Sequence, residues 1–96
     1  MEERNKLILL FDYYGDLLSE DQIKYFEEYY FNNLSLAEIA DNYKISRNAV
    51  HKQLKTASDK LYFYDDKLKL IDKYNKILKE IKDDKTKEKI TKIIES

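Results

Sequence analysis

The chain has no cysteine, no proline, no tryptophan, one glycine, one methionine and one histidine among its 96 residues. Without cysteine there is neither a disulfide framework nor a thiolate metal site, which fits a reducing, cytoplasmic setting. Without proline, and with only Gly15 as a flexible point, little in the chain interrupts a helix. No stretch approaches the roughly 20 apolar residues that cross a bilayer, and the opening MEERNK is charged rather than apolar, so no signal peptide is read there. A Gly-rich phosphate loop, a nucleophile set beside a base and a metal cluster are missing as well, so no catalytic residue, cofactor or metal site is expected.

Charge of one sign is not in excess overall, since 18 basic side chains face 19 acidic ones. The distribution is uneven. Residues 1 to 34 carry eight acids and three bases (−5), residues 35 to 64 three and five (+2), and residues 65 to 96 eight and ten (+2). An anionic partner is therefore drawn to the middle and end of the chain and kept off its beginning.

What is present is a run of amphipathic helical patterns. Leu7, Leu10, Phe11, Tyr14 and Leu18 recur at helical spacing, which predicts a first helix over about 4–14, ended by Gly15 in a left-handed conformation. Ser19 with Gln22 reads as a capping box, and Leu18 with Ile23 as the hydrophobic staple beside it. The device recurs at Leu34, Ser35, Glu38 and Ile39, and in altered form at Ile45, Ser46 and Val50, where Ala49 stands in place of the box carboxylate. Three serines thus predict helix starts near 20, 36 and 47. Beyond Val50 the apolar face continues through Leu54, Ala57 and Leu61. YFYDD, residues 62–66, reads as a break with Asp65 or Asp66 capping the next helix, whose face is Leu68, Ile71, Tyr74, Leu78 and Ile81. DDKT then interrupts before Ile90, Ile93 and Ile94. The expected fold is all-α: a helix-turn-helix core over residues 1–64 and a C-terminal helical extension over 65–96, within one domain.

The segment from Ser35 to Lys55 meets the demands of a helix-turn-helix. Ala40 serves where two helices cross, and Ile39, Tyr43, Ile45, Val50 and Leu54 form the buried set. Arg47, Asn48, His51, Lys52 and Lys55 fall on the outer face of the second helix, which Ser46 opens. Arg suits guanine, Asn suits adenine, and Lys or His reaches bases or phosphates. About four cations would make about four phosphate contacts, giving weak, salt-dependent binding for a monomer. The same five residues also suit the solvated face of an inert scaffold. His51 has no partner at ligand spacing, so a zinc role is not expected.

LFDYYGDLLSEDQIKYFEEYYFNNLSLAEIADNYKISRNAVHKQLK resembles the YlxM family of small bacterial proteins, itself similar to the C-terminal, promoter-reading domain of sigma factors. The resemblance covers about Leu10 to Leu61, with LFDYYG and LSLAEIA its most distinctive parts. It implies an all-helical fold and a regulatory role tied to the signal recognition particle pathway, whose GTPase subunit or receptor is encoded beside many such genes. DNA, the particle's RNA and the GTPase are all open as targets. Many such proteins place Gly in the turn, where this chain has Lys44; a left-handed backbone there costs about 1 kcal/mol.

The remaining aromatics and lysines have plainer readings. Tyr13, Tyr14, Tyr30, Tyr43, Phe11, Phe26 and Phe31 are read as core rather than base-stacking platforms, because Asp12, Asp16, Glu27 and Glu28 would repel phosphates; Tyr25 and Tyr29 are the ones left for an interface. Lys67, Lys69, Lys73, Lys76, Lys79 and Lys82 are read as the solvated side of an apolar seam. That seam needs cover, either back against the helix-turn-helix or against a second copy, and a two-fold homodimer is the commoner solution and the expected one.

Overall fold

The computed structural model describes residues 2–95, which form six α-helices and no strand. These are α1 (Glu2–Tyr14), α2 (Glu20–Tyr30), α3 (Leu36–Tyr43), α4 (Arg47–Leu68), α5 (Leu70–Glu80) and α6 (Asp84–Glu95). The all-α expectation holds.

The three serine starts are where local chemistry places them. Ser19 Oγ accepts from the Gln22 backbone N–H at 3.2 Å while Gln22 Oε1 accepts from the Ser19 N–H at 3.0 Å. Ser35 and Glu38 repeat the exchange at 3.1 and 3.0 Å. The Ser35 backbone N–H, and after it the Ser35 hydroxyl, hold the Glu38 carboxyl below the ordinary glutamate range. Ser46 accepts from the Ala49 N–H at 3.0 Å with nothing returned, as Ala49 dictates. Each staple pair shares one apolar cluster: Leu18 with Ile23, Leu34 with Ile39, and Ile45 with Val50.

Helix α4 is the spine against which α1, α2 and α3 all pack. Its inward residues serve two clusters in turn. Val50 and Leu54 join Tyr25, Ile39 and Ala40 beneath the turn, while Ala57 and Leu61 join Leu7, Leu10, Tyr14, Leu18 and Phe26. Between the clusters a polar chain fixes the angle of α4 on α2. Lys60 Nζ donates to Gln22 Oε1, and Gln22 Nε2 donates to Gln53 Oε1, both at 3.3 Å. Gln22, buried and polar, is thereby satisfied.

Five expectations are corrected. Gly15 does not end α1 in a left-handed conformation; it is buried, opens a short 3-10 turn over Gly15–Leu17, and no glycine has positive φ. Its smallness serves the ring of Phe11, three of whose carbons would lie 3.1–3.2 Å from an added Cβ. The break at 62–66 is absent, and neither Asp65 nor Asp66 caps a helix; α4 runs on to Leu68 and turns at Lys69, whose φ is 52°. The cause is remote in sequence: the Tyr14 hydroxyl donates to Asp65 Oδ1 at 2.9 Å and accepts from the Leu70 N–H at 3.1 Å, holding both sides of the corner. Tyr25 is not left for an interface but is buried, and Tyr43, placed in the buried set, is 36% exposed. The two rings meet edge to face at 5.1 Å, with Tyr25 inside and Tyr43 covering it. Phe31, read as core, is exposed.

The loop between α2 and α3 is tied to α1. Arg4 donates to the Tyr30 carbonyl and to Asn33 Oδ1 and lies over the Tyr30 ring. Asn33 takes the left-handed conformation, which asparagine tolerates better than most residues. At the far end, Asp83 caps α6 by accepting from the Thr86 hydroxyl and, after it, the Thr86 N–H, which together hold its carboxyl below the ordinary range. The Tyr74 and Thr91 hydroxyls bond at 2.8 Å and join α5 to α6.

Candidate nucleic-acid interface

The corner between α3 and α4 is three residues long. The N–H groups of Lys44 and Ile45 both reach the Ala40 carbonyl, and Lys44 holds φ 55° and ψ 46°. The position therefore does require a left-handed backbone, in a residue with a Cβ that disfavours it. Replacing Lys44 by Gly is expected to stabilise the fold by up to about 1 kcal/mol, raising Tm by roughly 4–8 °C. Thermal denaturation followed by circular dichroism tests this; an unchanged or lower Tm would show the strain is relieved elsewhere.

Ala40 and Ile39 are buried against Val50 and Leu54. A larger side chain at 40 would force the helices apart. This packing turns the other side of α4 outward, and Ser46, Arg47, Asn48, His51, Lys52 and Lys55 are all exposed. Ser46 spends its hydroxyl on the cap. Among the described residues Arg47, Asn48, His51 and Lys52 make no side-chain hydrogen bond or ion pair, so their donors face solvent. Lys55 differs, because its Nζ lies 3.2 Å from Asp59 Oδ2 one turn along. The structure thus gathers five of the six residues into one uncommitted or cap-forming surface and leaves the sixth paired.

Reasoning from sequence passed over Asp59, although the i, i+4 spacing of opposite charges was there to find it. Lys44, also exposed, adds an ammonium group at the corner itself. No group of three or more His, Cys, Asp or Glu among the described residues is placed to hold a metal ion. No helix among them is long and apolar enough to cross a membrane.

Comparison with known proteins places this geometry in a family. The family model described as "Putative helix-turn-helix protein, YlxM / p13 like" (UPF0122) matches residues 1–96. The chain belongs to this family. A UPF0122 protein of Fusobacterium nucleatum is 41% identical over 99 residues, covering 100% of this chain and 96% of that protein. One from Malacoplasma penetrans is 43% identical over 82 residues, covering 82% and 77%. A third, from Desulforamulus reducens, is 48% identical over 75 residues, covering 78% of this chain but only 64% of its own length. The chain thus spans less than two thirds of some UPF0122 relatives and nearly all of others.

Proposed function

We propose that this UPF0122 protein is a nucleic-acid-binding regulator of the signal recognition particle pathway, without catalytic activity, acting in the cytoplasm as a homodimer joined through residues 65–96. The observation that carries the reading is the front of α4, where Arg47, Asn48, His51 and Lys52 are exposed, uncommitted and free of any neighbouring carboxylate at the helix start. The missing carboxylate matters. An acid at Ala49's position would complete a capping box but repel an approaching phosphate, whereas the carboxylate-free N-terminus of α4 attracts one. In this reading Ser46 fixes the start of the recognition helix, Arg47, Asn48 and His51 meet base edges, and Lys52 and Lys55 hold phosphates.

Labelled duplex promoter DNA and the particle's RNA, titrated side by side at low and moderate salt, test this. Binding of one of them is expected, with log affinity falling against log salt at a slope of about −3 to −4 per recognition helix. No binding of either at low salt would overturn the reading.

A second reading has its own observation. The N-terminal third is acidic and leaves Leu9, Leu17 and Phe31 exposed, which suits docking on a protein such as the pathway's GTPase. That reading requires salt-tolerant co-elution with the GTPase subunit free of RNA, and loss of co-elution on removing RNA counts against it.

A further inference from the structure

The corner between α4 and α5 interrupts a helix at a single residue. The backbone ladder runs unbroken to the Lys69 N–H, which donates to the Asp65 carbonyl at 2.8 Å, and resumes where the Lys73 N–H donates to the Lys69 carbonyl at 3.0 Å. Only the rungs that would start at Leu70, Ile71 and Asp72 fall between them. Lys69 itself holds φ 52° and ψ 39°, a left-handed conformation that a residue with a Cβ disfavours. From Tyr64 to Tyr74 there is no Gly, Pro or Asn, so no local signal asks for the turn. Helix α5 also starts without a side-chain cap.

The apolar pattern runs straight through the corner. Leu54, Ala57, Leu61, Tyr64, Leu68 and Ile71 alternate spacings of three and four, and the alternation continues through Asn75 to Leu78. That is the stripe of one continuous helix, with no change of register at Lys69. What bends the chain is α1. The Tyr14 hydroxyl donates to Asp65 before the corner and accepts from the Leu70 N–H after it. Beyond it, Ile71 packs on the Leu10–Phe26 cluster and the Tyr74 ring lies 6.4 Å from that of Tyr13. Neither α5 nor α6 has a buried residue among those described. A few contacts from α1 thus stand against three unmade rungs and one left-handed lysine.

We propose that Lys69 is a hinge and the Tyr14 hydroxyl its latch. With the latch engaged the chain bends at Lys69. With it released, Lys69 turns right-handed, the three rungs close, and residues 47–80 become one helix that carries α6 away from α1. The direction of the C-terminal helices is therefore set from α1. The hinge stands independently of what the front of α4 binds.

The chain has no cysteine, so spin labels on Thr56→Cys and Lys79→Cys, both exposed positions, report this one distance. Diluting labelled chain in unlabelled chain removes distances between copies. Double electron–electron resonance of the otherwise wild-type full chain is expected to show a single distance, shorter than the about 35 Å that a straight helix spans from 56 to 79. Lys69→Val brings a branched Cβ that tolerates the left-handed region least, and Tyr14→Phe removes only the hydroxyl. Each is expected to shift the ratio of bent to straight about ten-fold toward straight, and together they populate a peak near 35 Å. Lys69→Gly moves the ratio about five-fold the other way and, placed on Tyr14→Phe, restores the short distance. A double variant that keeps the wild-type distance overturns the hinge. So does one whose distances spread with no peak near 35 Å, because α5 then detaches without straightening. Loss of helicity by circular dichroism overturns it as well, since the straight form keeps every helical residue and adds three rungs. A wild type already near 35 Å overturns the latch.

Discussion

Alanine at Arg47, Lys52 and Lys55 together is expected to abolish measurable binding to nucleic acid while leaving the helical content unchanged. All three side chains are exposed and none takes part in either apolar cluster. Alanine is at least as good a helix former as the residues it replaces, so α4 is retained. Losing three phosphate contacts removes about three from the slope of log affinity against log salt, which near 0.1 M salt is a loss of roughly a few hundred-fold. The contributions are not equal. Lys55 must first leave Asp59, but both partners are largely exposed, and such i, i+4 pairs are worth only about 0.3–0.5 kcal/mol. A phosphate displaces Asp59 readily, so Lys55→Ala alone should weaken binding less than Lys52→Ala alone, with the same sign. Fluorescence anisotropy with duplex DNA and particle RNA measures all of this. Unchanged affinity in the triple variant, with helicity intact, would remove the α4 front from the site.

How far the sequence could anticipate the structure depended on the range of the interaction involved. The starts of α2, α3 and α4 were legible because a serine and the residue three positions on satisfy each other within one turn, and nothing distant can overrule them cheaply. The end of α4 was not. Its stop at Lys69 is held by the hydroxyl of Tyr14, 51 positions from Asp65 and 56 from Leu70, and no local pattern announces a tyrosine reaching across the core. Gly15 was misread for a related reason. A lone glycine near a helix end suggests a left-handed cap, whereas the demand came from the Phe11 ring, which occupies the space that a Cβ at 15 would crowd. The exchange between Tyr25 and Tyr43 shows the limit of helical spacing, which groups residues on a face but cannot say which of two touching rings lies beneath. At the site the same division appears. Exposure of residues 46, 47, 48, 51, 52 and 55 followed from the buried side of α4, which periodicity reads well; the local Lys55–Asp59 pair was equally readable and was passed over.

The other large effect expected is Phe26→Ala, which should lower stability by about 3–5 kcal/mol. Phe26 is fully buried, stacked on Phe11 with ring centroids 4.3 Å apart and planes within 5°, and against Tyr30 at 4.4 Å. Truncation removes the ring on which α1 and α2 meet, and the neighbours that could fill the space are held: Tyr30 carries Arg4, and Phe11 is wedged over Gly15. Against a total of roughly 5–15 kcal/mol for a domain, much of the stability is lost, with Tm falling on the order of 20 °C. Phe26→Leu, which keeps most of the volume, should cost less than about 1.5 kcal/mol. The consequence reaches the candidate interface because α4 is continuous. Ala57 and Leu61 sit in the Phe26 cluster, and Val50 and Leu54, on the same helix, carry the turn. Loosening the first cluster frees the second half of α4 and with it the anchor of the first half. Phe26→Ala should therefore unfold in a single calorimetric transition, and lose nucleic-acid binding in step with its unfolded fraction, unlike the triple alanine variant, which stays folded. Two separate transitions, with α3 and the start of α4 surviving the first, would show that the turn stands on its own cluster alone.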